Sequence, residues 1–468
     1  MLQEDNVRKG FFERNQFEAV RRLLDEYLRP VVTFAYITGW RVPSEVLTLQ
    51  WRQVDFKAGT VGRIPMSAQR SVGTIGWWKR GLTMLAGLAL SGCATTASMV
   101  PGPQYMIVGI DEKVTWDETG KVQLLPPGKD LVSVVDISNR EAPRIVVSLP
   151  LMNSVFGPPT NLAIAPDERV AIVANSMAWT QEGGSWKSVP DNKIYVIDLT
   201  ANPPRQVATV EGGKQPSGLA INARGDLVLV ANRADNSISV FSLQGTTLKL
   251  VDTVAMGEQV ASVAITRDSK WALVTKFPGH KIAVLKIDGQ KVTYDKYDMP
   301  VGLWPYNIDI TPDGKLGISA DNGNAGGSDG HVDTVSVIDL EAIPPRVIDR
   351  VVVGDAPEGF AISPTGEIAV AILLNGSAGV PKNAWFANKN GKVAVLRIDG
   401  KKVTKVKEIE VGGLPEGVVF SPDGKYIYVG NYTTRDVSIL RVDGTDVTDT
   451  GKRFRLPGQP ASMRGRAR

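Results

Sequence analysis

The sequence predicts an all-β fold, a seven-bladed β-propeller of four-stranded blades over residues 104–468, with a short α-helical extension before it. Two observations predict this ring. Units of two apolar strands around a tight turn recur at intervals of roughly 44 to 58 residues, which is the spacing of propeller blades. The body also begins without a first strand and ends with a lone first strand, so one blade is shared between its two ends.

The clearest repeat unit covers residues 413–431, in which two apolar segments flank the turn Ser421-Pro422-Asp423-Gly424. Proline presets φ at about −65° and glycine accepts a positive φ, so this sequence favours a tight turn. A third strand is predicted at residues 437–442, and a fourth, shorter apolar segment follows in each unit, as at residues 346–353. The same unit begins again at Pro159, Pro216, Val260, Pro305 and Pro357.

The seventh blade is predicted to combine the two ends of the body. Residues 104–110 and 131–137 match second and third strands, and residues 458–463 match the start of an inner strand. Pairing them closes the ring and removes the exposed strand edges that invite aggregation.

Four long insertions follow second strands, and the alternation of strand direction places all of them on the face where inner strands begin. They cover residues 111–130, 176–192, 322–333 and 375–392. Of the six tryptophans in the body, only Trp271 falls within a predicted strand, and five fall on this face: Trp116, Trp179, Trp186, Trp304 and Trp385. Two interpretations stay open, because these rings either bind a ligand or pin the long loops to the ring.

The second position of each inner strand is predicted to line the central channel on this face. The residues are Thr160, Ser217, Ala261, Tyr306, Glu358, Glu416 and Ala461. Glu358 and Glu416 belong to adjacent blades, where two carboxylates can hold a divalent cation, with Asn307 nearby, or share a proton as an acid–base pair. The alternative is that each accepts backbone N–H bonds and binds nothing.

The histidines and glycines indicate no further cofactor. His280 is predicted to be exposed in a short turn, and His331 lies on a long loop, where a surface role is the simplest interpretation. No Cys/His cluster suggests zinc or iron, and no glycine-rich phosphate loop stands out. We therefore expect no cofactor beyond the cation that Glu358 and Glu416 can hold.

The only cysteine, Cys93, follows the basic residues Lys79 and Arg80 and a short apolar segment at residues 81–90. About 20 apolar residues are needed to span a bilayer, so this segment suits a cleaved signal. Residues 66–92 resemble a bacterial lipoprotein signal peptide, followed by a linker at residues 93–103. The resemblance implies a diacylglycerol on Cys93 and, since Ala94 is not an aspartate, an outer-membrane lipoprotein facing the periplasm. The alternative is an ordinary buried cysteine.

Residues 1–65 differ from the body. Residues 34–47 resemble the first catalytic box of tyrosine recombinases, the phage integrases, and residues 17–28 are predicted to form an amphipathic helix, as in that family. The resemblance gives Arg41 the role of contacting the scissile phosphate and makes Glu45 the acidic residue that follows it. The family's His-x-x-Arg box is missing, and one arginine cannot stabilise a transferring phosphoryl group. This truncated fragment is expected to be inactive.

Charge separates the two parts of the chain. Residues 1–92 carry 13 basic and 8 acidic side chains, whereas residues 93–468 carry 40 and 41. The body therefore lacks the positive surplus of a nucleic-acid-binding domain, and no nucleic-acid partner is expected for it.

Second strands of the body end in related sequences, which are Tyr428-Val429-Gly430-Asn431 and the Val-Ala-Asn endings at Asn175 and Asn232. They resemble the YVTN repeat family, whose superfamily includes surface-layer-like proteins, lactonase-like propellers and amine dehydrogenase subunits. The resemblance predicts the fold better than the activity, because a fold does not imply a function.

The sequence favours a lipid-anchored, non-enzymatic binding or scaffold module that takes a protein, peptide or small molecule on its tryptophan-rich face. The residues expected at that ligand are Glu358, Glu416, Tyr306, Trp304, Asn307, Trp179, Trp186, Trp385 and His331. The alternative is a lactonase-like or other carboxylate-dependent hydrolase that uses Glu358 and Glu416. A third hypothesis is a DNA-recombination protein that acts through residues 1–65.

Overall fold

The computed structural model describes residues 104–467 and eight earlier positions, and its contacts divide the chain into two units, Met1–Ala97 and Ser98–Arg468. In the first unit, β1 (Val54–Asp55) pairs antiparallel with β2 (Thr60–Val61). The predictions at Arg41, Glu45 and Cys93 lie outside the described residues. No helix in the described part of the chain is long and apolar enough to cross a membrane. The helical positions of the first unit are Arg21, Arg22, Arg29 and Thr33.

The body forms seven four-stranded antiparallel blades around a channel, as predicted. From the inner to the outer strand, blade 1 consists of β34 (Pro460–Arg464), β3 (Tyr105–Ile110), β6 (Leu131–Asp136) and β7 (Arg144–Leu149), and blade 2 of β8 (Leu162–Ile164), β9 (Val170–Ala174), β12 (Lys193–Asp198) and β13 (Arg205–Glu211). In the same order, blade 3 consists of β14 (Pro216–Ile221), β15 (Leu227–Asn232), β16 (Ser237–Gln244) and β17 (Thr247–Ala255), and blade 4 of β18 (Val263–Ile265), β19 (Trp271–Lys276), β20 (Lys281–Asp288) and β21 (Lys291–Pro300). Blade 5 consists of β22 (Pro305–Ile310), β23 (Leu316–Asp321), β24 (Asp333–Asp339) and β25 (Arg346–Gly354). Blade 6 consists of β26 (Pro357–Ile362), β27 (Ile368–Leu373), β28 (Lys392–Asp399) and β29 (Lys402–Glu410). Blade 7 consists of β30 (Pro415–Phe420), β31 (Tyr426–Asn431), β32 (Asp436–Asp443) and β33 (Asp446–Arg455).

The prediction that one blade combines strands from the two ends of the body is confirmed. The last strand, β34, pairs antiparallel with β3, and Met463 lies opposite Val108 in that pairing. The chain then continues to blade 2, where the Ala467 N–H donates to the Ile164 carbonyl oxygen at 2.8 Å. Both ends of the body are therefore held in or beside blade 1, and β3 has a hydrogen-bonded neighbour on each side.

Most of the core lies between neighbouring blades. Every residue of β27 is buried, and one apolar cluster joins Ala369 and Ala371 of this strand to Val337 of blade 5. The fourth strands differ from the prediction of short apolar segments. They reach ten residues in β21 and β33, and most of their side chains are exposed because solvent covers the outer edge of each blade.

Two of the predicted long loops contain β-hairpins that stand outside the blades. After the second strand of blade 1, β4 (Val114–Trp116) pairs with β5 (Val122–Leu124), and after that of blade 2, β10 (Met177–Glu182) pairs with β11 (Ser185–Pro190). These four strands are not predicted by the sequence. They are short and polar on one face, so their apolar pattern does not differ enough from that of a loop.

The two ends of the ring differ in their connections. The turn face carries the turns between first and second strands, and the loop face carries the long insertions. In the turn of blade 7, the Asp423 carboxylate accepts hydrogen bonds from the Ser421 hydroxyl and the Lys425 N–H, and Gly424 has a φ of 70°. Thr311 and Asp313 make the same bonds in blade 5, which explains why this turn sequence repeats.

Inner strands of neighbouring blades approach so closely that only glycine fits at the contact. A Cβ added to Gly359 would lie 2.1 Å from the backbone oxygen of Glu416 in the next blade, and one added to Gly417 would lie 2.4 Å from the Met463 nitrogen. At the same repeat position in blade 3, the Gly218 N–H donates to the Ala261 carbonyl oxygen at 2.9 Å. The ring therefore requires the sequence Pro-x-Gly at these inner strands.

Replacing Gly359→Ala is expected to lower the free energy of unfolding by at least about 1–3 kcal/mol, because the new methyl group meets backbone that cannot move alone. Gly327→Ala is the matched control, since a Cβ there meets only the Asn324 oxygen at 3.6 Å. Chemical denaturation measures both variants. Equal stability of the two would show that the inner strands can separate without cost.

Candidate functional site

β-Bulges at the start of the inner strands aim side chains at the channel. The pairing register shifts between Pro357 and Phe360 in blade 6 and between Pro415 and Val418 in blade 7, and each bulge contains a glutamate. A bulge re-aims the side chain that it carries. The ring that these positions form on the loop face is buried throughout: Thr160, Ser217, Ala261, Tyr306, Glu358, Glu416 and Ala461.

The carboxyl groups of Glu358 and Glu416 form a hydrogen bond with each other between blades 6 and 7. The Asn322 amide also donates to Glu358 Oε1 at 3.4 Å, whereas Glu416 Oε2 is buried and has no hydrogen-bond partner within residues 104–467. Their side chains are only 5% and 3% exposed. The pair is therefore dry, and one of its oxygens is available to a ligand.

Burial governs the protonation of this pair. It raises the pKa of Glu358 from 4.5 to about 8, against the hydrogen bond from Glu416 and the positive charge of Arg233. Burial and the negative charge of Glu358 raise the pKa of Glu416 well above 4.5. Two adjacent carboxyls in a dry site resist joint ionisation, so the pair retains a proton at neutral pH.

One cation faces the pair. The Arg233 guanidinium lies over the Phe277 ring, 5.0 Å from its centroid, and 5.7 Å from the centroid of Tyr306. Arg233 Nε is buried and has no hydrogen-bond partner among the described residues. Burial raises the pKa of Tyr306, and the charge of Arg233 opposes that effect. The phenol thus stays protonated and, with the guanidinium, supplies hydrogen-bond donors opposite the carboxyls.

Arg233 and Asn322 belong to a second ring that the sequence analysis missed. Each blade contributes the residue that follows the last residue of its second-strand repeat sequence, as Arg233 follows Asn232 and Tyr432 follows Asn431. The members are Asp111, Ser176, Arg233, Phe277, Asn322, Leu374 and Tyr432, and all except the partly buried Arg233 are buried. Aligning the ends of the second strands, which the Val-Ala-Asn sequences permit, is the signal that would have found them.

Asn307 lies apart from the carboxyl pair. Its Oδ1 accepts a hydrogen bond from the Ser262 hydroxyl at 3.3 Å, and its Nδ2 donates to the Phe360 carbonyl oxygen at 3.5 Å. Within the described residues, no group of three or more His, Cys, Asp or Glu side chains is arranged to hold a metal ion. The cation at Glu358 and Glu416 stays a prediction, and the hydrogen bond between the two carboxyls competes with it.

The predicted tryptophans divide by exposure. Trp179 is buried and stacks on Phe156 at 6.2 Å between ring centroids, whereas Trp116 and Trp186 are half-buried in the hairpins. Trp304 is also half-buried. Trp385 is 78% exposed. The first three contact other residues of one apolar cluster and fix the hairpins. Trp304 packs against Phe277 and His280, so Trp385 is the most exposed of the five rings.

The two histidines differ from each other. His280 is half-buried, and its Nδ1 accepts the backbone N–H of Trp304 at 3.0 Å, so the prediction that it is exposed was wrong. The short turn that carries it folds back on the start of blade 5, which a local reading of the sequence could not show. His331 is exposed on the loop after β23, and its N–H donates to Asp329 Oδ1. Neither is within the carboxyl pair.

An internal ion cluster holds the first hairpin over the loop face. Lys113 is fully buried, its Nζ lies 3.0 Å from Asp111 and 2.5 Å from Asp130, and it also lies over the Trp179 ring. The Tyr432 hydroxyl donates to the Val114 carbonyl oxygen at 2.9 Å. The hairpin thereby reaches from blade 1 to blade 7 and covers part of the channel mouth.

The seven four-stranded blades around one channel define the class of the molecule, a seven-bladed β-propeller. Residues 158–260 and 191–298 match the family described as "Lactonase, 7-bladed beta-propeller". No curated protein sequence matches the chain.

Solved structures share the fold at low sequence identity. A proposed 6-phosphogluconolactonase from Bacteroides fragilis is 17% identical, with 79% of this chain and 99% of that chain covered and a TM-score of 0.60. The periplasmic gluconolactonase of Pseudomonas aeruginosa is 18% identical, with 77% and 98% covered and a TM-score of 0.54. A protein of unknown function from Desulfotomaculum acetoxidans is 14% identical, with 78% and 99% covered and a TM-score of 0.57. Identities this low show a shared fold alone.

The free energy of unfolding is expected to fall as the pH rises from about 5 to 8. In that window the folded protein keeps protons on Glu358 and Glu416 that the unfolded chain releases near pH 4.5. Each retained proton contributes a slope of up to about 1.4 kcal/mol per pH unit. Glu358→Gln should flatten this dependence, whereas the exposed control Glu367→Gln should keep it. Denaturant titrations at several pH values measure the slopes, and an unchanged slope in Glu358→Gln contradicts the buried, protonated pair.

Proposed function

We propose that the protein hydrolyses a lactone at the mouth of its channel, with Glu358 and Glu416 as an acid–base pair. The observation that carries the proposal is the buried, hydrogen-bonded pair, which retains a proton beside Arg233 and Tyr306. The family match over residues 158–298 and the gluconolactonase-like structural neighbours support this class of reaction. Sugar lactones are therefore the first substrates to test.

The geometry assigns a role to each group. Once the pair has lost one proton, which the pKa of Glu358 at about 8 places in the weakly alkaline range, its carboxylate takes a proton from a water molecule as the water oxygen attacks the lactone carbonyl carbon. Arg233 and the Tyr306 hydroxyl donate hydrogen bonds to the oxyanion that forms on the carbonyl oxygen. The protonated carboxyl then gives its proton to the ring oxygen as the C–O bond breaks. The product is the open hydroxy acid, and one water molecule is consumed.

Access to the pair requires movement of the loop between β23 and β24. Asn322, at its start, contacts Glu358 and also accepts the Gly326 N–H on its Oδ1 at 2.6 Å, so the loop folds directly over the carboxyl. Gly323, Gly326 and Gly330 all have positive φ, at 84°, 94° and 81°. Glycines at such positions let a loop change course with little strain. This loop is the proposed cover of the site.

Glu416→Gln is expected to lower kcat/KM for lactone hydrolysis by about 100-fold or more, the usual contribution of a general acid or base. The measurement is the release of acid from gluconolactone and from a panel of other lactones, corrected for spontaneous opening. Glu367→Gln, on the turn face, is the matched control and should retain full activity. Equal activity in Glu416→Gln and the wild type would exclude the pair from catalysis.

A second candidate function is binding of a protein or peptide on the loop face, which three exposed apolar residues favour. Trp385, Val332 and Leu303 are 78%, 68% and 57% exposed. They lie on neighbouring connections, because Gly330 packs against the Trp385 ring and the Leu303 carbonyl accepts the Gly323 N–H at 3.0 Å. Exposed apolar patches commonly mark interaction sites. This role does not need the carboxyl pair.

We also propose that the body is attached to a bacterial membrane, the outer membrane facing the periplasm, through a lipid on Cys93. The support is the basic and apolar sequence before this single cysteine. A diacylglycerol supplies two acyl chains, which is enough for stable anchoring.

Mass spectrometry of the protein from native membranes is expected to find a mature N-terminus at a diacylated Cys93, with no peptide from residues 1–92. Cys93→Ser should remain unprocessed, because the lipid is attached to the thiol. A mature chain that retains residues 1–65 contradicts the anchor and makes the recombinase-like segment part of the working protein.

A further inference from the structure

We propose that the turn face of the propeller lies against the lipid surface, with the channel mouth on the loop face directed away from it; this orientation rests on the proposed lipid anchor at Cys93. The inference concerns an interaction surface and its partner, a phospholipid bilayer. Three features of the described residues carry it: where the body begins, where the most exposed apolar side chain lies, and how the surrounding charges are paired.

The body begins on the turn face. The Gln104 carbonyl oxygen accepts the Ile137 N–H at 2.8 Å, and the Gln104 N–H donates to the Ser138 hydroxyl at 3.1 Å, both at the turn-face end of blade 1. Cys93 precedes Gln104 by eleven positions, at most about 40 Å of fully extended chain. A lipid on Cys93 therefore holds blade 1 by the edge of its turn face.

An apolar projection lies on the same face at blades 4 and 5, across the ring from blade 1. Ile343, in the turn between β24 and β25, is 99% exposed and is the most exposed large apolar side chain within residues 104–467. It stands at the rim of a groove of about 870 Å³ lined by Trp271, Tyr297, Leu340, Pro344 and Pro345 among others. The Tyr297 hydroxyl donates to the Pro345 carbonyl oxygen at 2.7 Å, so this turn is held in place.

Several of the charges around this projection are paired with one another. Lys401 lies 2.8 Å from Asp339 and 3.0 Å from Glu341, and Lys286 lies 2.7 Å from Asp295. On the turn face near blade 1, where the body begins, Arg140 lies 3.3 Å from Asp423. Paired charges present little net field to lipid headgroups. The contact is therefore apolar, and we expect little dependence on anionic lipid or on salt.

The lipid anchor at Cys93 and the exposed side chain of Ile343 together favour a lipid surface over a protein partner. A fully exposed aliphatic side chain with a neighbouring tryptophan, itself 38% exposed, suits the boundary between headgroups and acyl chains. The anchor keeps the turn face within a short reach of the bilayer, which raises the effective concentration of even a weak contact. Two contacts at opposite sides of one face favour orientations of the ring in which that face is directed toward the bilayer.

The test uses the lipidated protein in vesicles and two single-cysteine probes. Because the native thiol carries the lipid, Ile343→Cys and Val332→Cys each provide one reactive site, the first on the turn face and the second, 68% exposed, on the loop face. Each is labelled with a fluorophore, and quenching by a nitroxide-bearing phospholipid is measured in zwitterionic and anionic vesicles, alongside mass analysis of Cys93 and thermal unfolding.

The expected result is several-fold stronger quenching at position 343 than at position 332, with little effect of anionic lipid or salt. Equal quenching at the two positions with Cys93 diacylated overturns the orientation alone. An unmodified Cys93 overturns both the anchor and the orientation. Protection of the position-343 label in native membranes, without quenching in pure lipid vesicles, identifies a protein partner instead and also overturns the proposal.

Discussion

The structure depends on seven inner strands that meet around one axis at backbone contact distance. At Gly359 and Gly417 this approach leaves no room for a side chain, and the bulge that brings each glycine into the contact also turns the preceding residue toward the channel. Glu358 and Glu416 are those preceding residues. The packing of the ring and the placement of the candidate acid–base pair are therefore consequences of the same local geometry.

A dry carboxyl pair is unfavourable for folding, and the rest of the body offsets it. Removing an ionisable group from water without full hydrogen bonding costs stability, and Glu416 Oε2 and Arg233 Nε both lack partners within residues 104–467. Apolar clusters between every pair of neighbouring blades supply the compensating burial, as between blades 5 and 6. Polar groups left unsatisfied in an otherwise well-packed ring are typical of sites that are built for a ligand.

The sequence predicted the architecture because its strongest signals are local and repeated. The turn at Ser421-Pro422-Asp423-Gly424 and the split blade were both readable from residue order, and both were confirmed. The residue of each inner strand that lines the channel could also be predicted, since it is the second position of that strand in the sequence repeat. Arg233, Asn322 and the fold of His280 onto Trp304 were not, because they depend on contacts between blades. The hairpins β4–β5 and β10–β11 were missed because their sequences alternate too weakly.

Closure by the last strand has a consequence for how the chain matures. The inner strand of blade 1 is synthesised some 350 positions after the strand it pairs with, as the partners Ile107 and Arg464 show. Until residues 460–464 arrive, one side of β3 and the inner strand of blade 7 lack their neighbours, and open strand edges recruit other chains. Contacts this distant along the chain also form slowly. Proteolytic loss of residues 460–464 would leave an open ring with two exposed strand edges, so this strand protects the folded ring from pairing with other chains.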